Sequence, residues 1–337
     1  VAVDPKAAEL SKIELLLDES RNRRYTDSRK MVELAELARA AAERLEAERW
    51  AEDVRARVWA ELGNAYRVAD RLDLAARAIA RALRHYESGT LDRSVLVLIT
   101  DRTASLLAHQ RRFSEALDLL ERLARFHRTV GDDHQAGRAL ITSGLYTWNG
   151  GDPVRGVLLT SAGLDLIDLG RERGLVLAAV HNLLCCAVDL GRFALARRLL
   201  PLVRPLYEMD SARANLLRLR WLEGRVAEGL GEPEEAEMAL REARDGFLDS
   251  GLLFPASLVS LDLAQLWSGQ GRYREIGEVA GELVASFQAL RVGREAIVSL
   301  LLLRRACEGE AVSQDVREAI ERTAGFLRDI AYERSLA

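Results

Sequence analysis

The stretch Leu190-Gly191-Arg192-Phe193-Ala194-Leu195-Ala196 decides how this sequence is read, because close relatives of it return at a fixed interval along the chain. With Ala196 as a marker, stepping outward gives Ala35, Ala75, Ala116, Gly156, Ala196, Ala236, Ile276 and Val316, every interval being 40 residues except one of 41. Three residues before the marker stand Leu72, Phe113, Pro153, Phe193, Pro233 and Tyr273, and five before it Gly151, Gly191, Gly231 and Gly271. A glycine can take the left-handed conformation that ends a helix, and proline is welcome in the first turn of the next, so each copy reads as helix, tight turn, helix.

Small residues recur twelve before the marker, at Gly63, Ala104, Gly144, Gly224 and Ala264, where two helices must cross closely. Four and seven after it come apolar pairs such as Ile79 and Ala82, Leu120 and Leu123, Leu200 and Val203, and Leu240 and Ala243, on the helical face that carries the marker. A lone hairpin of this kind cannot bury its apolar stripe, so its neighbours must cover it. The expected fold is therefore all-α: a single α-solenoid of about eight antiparallel helix hairpins over residues 1–337. The approximate repeats are 1–55, 56–96, 97–136, 137–176, 177–216, 217–256, 257–296 and 297–337. The first and last depart from the pattern, with Arg23 and Arg304 at the crossing and Val316 and Ser313 in the last turn, as terminal repeats commonly do.

Composition narrows the function. Of 337 residues, 48 are basic and 52 acidic, a net charge of −4 without the basic excess of a general nucleic-acid binder. Lysine occurs only at Lys6, Lys12 and Lys30, which reads as the arginine preference of a GC-rich, bacterial genome. Cys185, Cys186 and Cys307 form no disulfide framework, so a reducing cytoplasm is the expected location. The apolar runs beginning at Ser94 and Ser299 stop at Asp101 and Arg304, too short to span a membrane. The first residue is Val rather than Met, and the expectation is a piece of a longer polypeptide with a domain upstream.

The period alone is compatible with HEAT or armadillo units; particular residues separate the families. Trp59-Ala60-Glu61-Leu62-Gly63-Asn64-Ala65-Tyr66, followed by Ala75, Ile79 and Ala82, resembles the tetratricopeptide signature of Trp, Leu, Gly and Tyr in a first helix and small, bulky, small in a second. Gly191-Arg192-Phe193 and Gly271-Arg272-Tyr273 resemble that family's central turn. The resemblance covers about residues 16–330 and implies a right-handed superhelix. The units are longer than the usual tetratricopeptide repeat and lack its terminal proline, as in long-repeat members among bacterial peptide-sensing regulators, MalT-like activators and kinesin light chains.

No residue constellation argues for catalysis. His85, His109, His127, His134 and His181 are scattered, without metal-ligand spacing, and no metal or other cofactor is expected. Cys185 and Cys186 lie in an apolar helical run and read as core. Asn149-Gly150-Gly151-Asp152-Pro153 occupies the ordinary turn slot and has no lysine partner for a phosphate.

In tetratricopeptide arrays the first helix of each hairpin lines the concave surface, and this resemblance implies where a ligand would lie. It selects Asn64, Arg67, Asp101, Arg102, Ser105, Arg138, Trp148, His181, Asn182, Trp221, Arg225, Asp262 and Gln265. Asn can pair with a peptide backbone, Arg can hold a carboxylate bidentately, and Trp is a large anchor. Asn64 matches the Asn of the family's carboxylate-clamp members, with Arg102 as companion, but Leu98 and Thr142 stand where further polar clamp groups belong. The expected function is a protein- or peptide-binding scaffold, the sensor or interaction part of a larger bacterial protein. The alternatives are a structural adaptor or self-assembling subunit and, behind it, an enzyme.

Overall fold

The computed structural model describes residues 5–24, 27–209 and 213–289. Among these, the regular structure is entirely helical: α1 (Pro5–Asn22), α2 (Ser28–Ala42), α3 (Arg49–Val68), α4 (Leu72–Ser88), α5 (Arg93–His109), α6 (Phe113–Thr129), α7 (Asp133–Asn149), α8 (Pro153–Leu164), α9 (Arg173–Asp189), α10 (Phe193–Met209), α11 (Arg213–Gly229), α12 (Pro233–Asp249), α13 (Leu253–Gly269) and α14 (Tyr273–Ala289). The expected last repeat, with Arg304, Cys307, Ser313 and Val316, lies outside the described residues. Two compact units divide the chain, one up to Leu169 with α1–α8 and one from Gly170 with α9–α14.

In both units the joint between paired helices has one construction. At the end of α9, Gly191 turns left-handed with φ 68°, its N–H donates to the Val188 carbonyl at 2.9 Å, and the Arg192 N–H reaches back to the Ala187 carbonyl at 2.8 Å. This double bond pattern satisfies carbonyls that the helix end would otherwise leave open. It recurs at Gly151 and Asp152, at Gly231 and Glu232, and at Gly271 and Arg272. It also recurs where no glycine is present: Asp70 and Arg111 both adopt φ 58° and make the same bonds. The joints that follow α6 and α12 repeat it through Gly131 and Gly251. Where an aspartate precedes the next helix it closes the other end, the Asp152 carboxylate accepting from the Arg155 N–H at 2.9 Å and that of Asp132 from Gln135 at 3.1 Å.

The marker positions form the core of the hairpins. Ala35, Ala75, Ala116, Ala196, Ala236 and Ile276 are all fully buried, and Gly156 is buried with them. Small size is required at the crossings. A Cβ on Gly144 would run into the Thr160 hydroxyl and come within 2.8 Å of the Gly156 carbonyl; one on Gly224 would lie 2.8 Å from Leu240 Cγ. In the second unit the core gains bulk: Phe247 and Trp267 join Leu240, Val259 and Leu263 in one buried cluster. Burial of this apolar area is the main stabilising term for such hairpins, since helices in proteins owe most of their stability to packing of an apolar face rather than to propensity.

Candidate functional site

The first helices of successive hairpins, α1, α3, α5 and α7 in the first unit, are joined by polar side chains one repeat apart. Glu61 on α3 is only 5% exposed and accepts from two sides, from Arg102 of α5 at 2.9 Å and from Arg21 of α1 at 3.1 Å. Burial pushes the Glu61 carboxyl up, but Arg102 and Arg21 together outweigh it and hold the group below its ordinary value. Burial likewise works against the Arg102 charge, yet Glu61 and Asp101 hold that guanidinium above its ordinary value. Asp101 accepts from Arg102 at 2.6 Å, so these two candidate residues form one unit with Glu61.

One turn further along α3, Asn64 and Arg67 are interior residues, 4% and 2% exposed. Arg67 donates twice to the Asn64 side-chain oxygen, at 2.8 and 3.2 Å, and its Nη1 lies 3.0 Å from each ring nitrogen of the buried His109 on α5. Burial, with the Arg24 charge nearby, lowers Arg67 to about 9. Asn64 thus spends its carbonyl oxygen inside the protein, and the open surface expected there is the interior of a helix pair. Ser105 on α5 accepts a long bond from the Tyr146 hydroxyl of α7 at 3.5 Å. Arg138 and Trp148, also on α7, remain partly exposed.

In the second unit, His181 on α9 is bonded through Nδ1 to the Tyr207 hydroxyl of α10 at 2.9 Å, and its Nε2 lies 3.5 Å from the Cys185 sulfur. Burial, reinforced by the Arg218 and Arg225 charges, lowers His181 to about 4. The same withdrawal from water pushes the thiols of Cys185 and Cys186 up to about 12, so neither is a ready nucleophile. On α11 the Trp221 indole donates to Asp262 of α13 at 2.6 Å while its ring stands edge-on to Phe247, 6.4 Å between centroids. Arg225, one turn along, donates to Asp189 of α9 at 2.9 Å and lies 3.9 Å from Asp262. Asn182 is half-buried and Gln265 exposed, and neither takes part in these ties.

The structure therefore brings the candidates together in three groups: Asn64 with Arg67, Asp101 with Arg102, and Trp221 with Arg225 and Asp262. Glu61, His109, Asp189 and Tyr207 belong to these networks and were not among the candidates. Their signal was the repeat itself: Arg21, Glu61 and Arg102 stand 40 and 41 residues apart, a ladder of alternating charge. Among the described residues, no group of three or more His, Cys, Asp or Glu is arranged to hold a metal ion. Among the same residues no helix is long and apolar enough to cross a membrane.

No protein-family model and no curated protein matches the chain. Solved structures do match. A Rap protein complexed with competence and sporulation factor superposes with a TM-score of 0.69 at 11% identity, covering 92% of this chain and 85% of that one. The apo form of RapI gives 0.62 at 11% identity, over 83% and 99% of the two chains. NprR in complex with its cognate peptide NprX gives 0.52 at 13% identity, over 90% and 86%. At such identities the likeness establishes the fold, an all-α helical-repeat solenoid of tetratricopeptide-like class.

Proposed function

We propose that this chain is a peptide-binding regulatory scaffold of long-repeat tetratricopeptide type, acting in the bacterial cytoplasm. The observation that carries the reading is the fold match over nine-tenths of the chain to two structures described as complexes, one with competence and sporulation factor and one with a cognate peptide. The chemistry of the first helices supports it. They present side chains suited to an extended peptide and still partly open to solvent: Arg138 and Trp148 in the first unit, and Asn182, Trp221, Arg225 and Gln265 in the second. In the second unit the ties to Asp262 and Asp189 hold Trp221 and Arg225 in fixed positions, which lowers the ordering cost of binding. Asn64 and Arg67 have a different part in this reading: they support the face from beneath.

The test is affinity selection of short linear peptides by the full chain, with the retained peptides identified by mass spectrometry. A related set of sequences should be enriched, and enrichment should fall for Asn182→Ala, Arg138→Ala and Gln265→Ala, whose side chains lie outside the buried core. Failure to enrich any sequence over a column without protein would overturn the proposal.

A further inference from the structure

The repeat supplies its own control for surface composition. On the second helix of a hairpin, the position six after the marker is exposed and charged at Arg81, Arg122, Glu242 and Glu282, while α8 has the exposed Ala162 there and α2 the buried Ala41. In α10 that position is Leu202, 74% exposed. Nine after the marker stand Arg84, Arg125 and Asp245 in other hairpins, and Pro205 in α10. One before and thirteen after it, α10 has Leu195 and Met209, 50% and 61% exposed. Single exposed apolar residues are ordinary, but these three are seven residues apart and so form one stripe, drifting only about 20° per step. Pro201 and Pro205 lie inside the same helix, each removing an internal hydrogen bond. Both are exposed, so core packing does not require them.

The stripe is symmetric about Leu202. Leu195 lies as far before it as Met209 lies after it, so an antiparallel copy of the helix would set Leu202 against Leu202 and Leu195 against Met209. The charges follow the same symmetry. Arg198 and Glu208 are both exposed, and neither is engaged by a partner among the described residues. At a rise of 1.5 Å per residue they lie about 6 Å before and about 9 Å after Leu202, on the same flank of the stripe. Reversal of one copy brings each Arg198 within a turn of the other's Glu208, twice over. A parallel pairing would instead set like charges level with one another.

We propose that the outer face of α10 is a homotypic docking surface, on which α10 of a second copy of this chain packs antiparallel about a two-fold axis passing between the Leu202 side chains. Such an interface is isologous, the same patch serving both copies. One pair of helices of this length buries less than the standard protein interface, so the dimer forms in a concentration-dependent equilibrium.

Sedimentation equilibrium of the full chain over a range of concentrations tests this. The wild-type chain should pass from monomer to dimer, and Leu202→Glu should weaken association on the order of tenfold or more, as expected for a central apolar contact. Thermal unfolding of that variant should be unchanged, because the side chain is mostly in solvent. Arg198→Glu and Glu208→Arg should each weaken the dimer, and combining them in one chain should restore it. A chain that remains monomeric up to about 1 mM, where even weak association is populated, overturns the proposal. So does a dimer indifferent to Leu202→Glu, and so does failure of the double charge reversal to restore what each single reversal loses.

Discussion

Glu61 and Arg102 face each other across two helices, 41 residues apart in sequence and 2.9 Å apart in space, almost wholly withdrawn from water. Removing one member of such a pair leaves the other charge buried, which costs about 3–5 kcal/mol where no second partner remains. Arg21 still reaches Glu61 at 3.1 Å, so Arg102→Met should fall at the lower end, about 3 kcal/mol. The double variant Glu61→Gln with Arg102→Met should cost less than the sum of the single variants. Thermal unfolding of the four proteins in a double-mutant cycle measures the coupling.

The pairing also sets an acid limit. The Glu61 carboxyl is held below its ordinary value of 4.5, so the folded chain gives up this proton more readily than the unfolded one. Its contribution is therefore complete above 4.5 and is lost as pH falls through the depressed value. His181 acts in a higher window. Its pKa drops from 6.5 to about 4 on folding, so stability falls between those two values as the unfolded chain takes up a proton that the folded chain refuses. In His181→Gln the denaturation midpoint should fall less steeply across that window than in the wild-type chain, the remaining slope coming from His127, which burial also lowers, while the loss at lower pH persists. A wild-type midpoint already flat from 6.5 to 4 would contradict the assignment.

At the crossing of α7 against α8, size is the constraint. Gly144→Ala puts a methyl group where the Thr160 hydroxyl stands and 2.8 Å from the Gly156 carbonyl, and both neighbours belong to a helix that cannot yield without moving its own packing. The expected loss is about 3 kcal/mol, the upper part of the range for overpacking. Gly174→Ala, with nothing within 4 Å of the added carbon, is the matched control. Equal unfolding temperatures for the two variants would contradict the tight crossing.

Leu91 gives the opposite sign. Its φ of 62° is left-handed, and the residue is 52% exposed in the turn between α4 and α5. A branched side chain in this conformation is strained by about 1–2 kcal/mol relative to the right-handed region. Leu91→Gly should therefore stabilise the chain, by about 1 kcal/mol after glycine's greater freedom in the unfolded state is deducted. The midpoint of chemical denaturation reads this directly.

The repeat, its turn and its buried marker were legible in the sequence because each depends on local geometry: Gly191 needs φ above zero and Ala196 needs space, whatever the partner. Asp70 and Arg111 adopt the same turn without the residue that signals it, since the bonds back to Tyr66 and Leu107 hold the backbone there. The candidate site was less legible. Helical phase put Asn64 and Arg67 on the inner side of α3, but whether that side is open depends on how closely α5 approaches, and His109 closes it. Phase within one helix carries no information about that approach. Trp221 and Asp262 were both chosen from their own helices; that they bond to each other emerges only when the helices are placed side by side.

In the first unit, Glu61 shares one carboxylate between arginines from the helices on either side of it. Slippage of α3 by one residue against either neighbour would strand a negative charge without solvent or counterion, while the alanine-rich contacts around it would tolerate several alignments almost equally. The carboxylate thus acts as a proofreading device during assembly, penalising misaligned stacks that the apolar surface alone would accept.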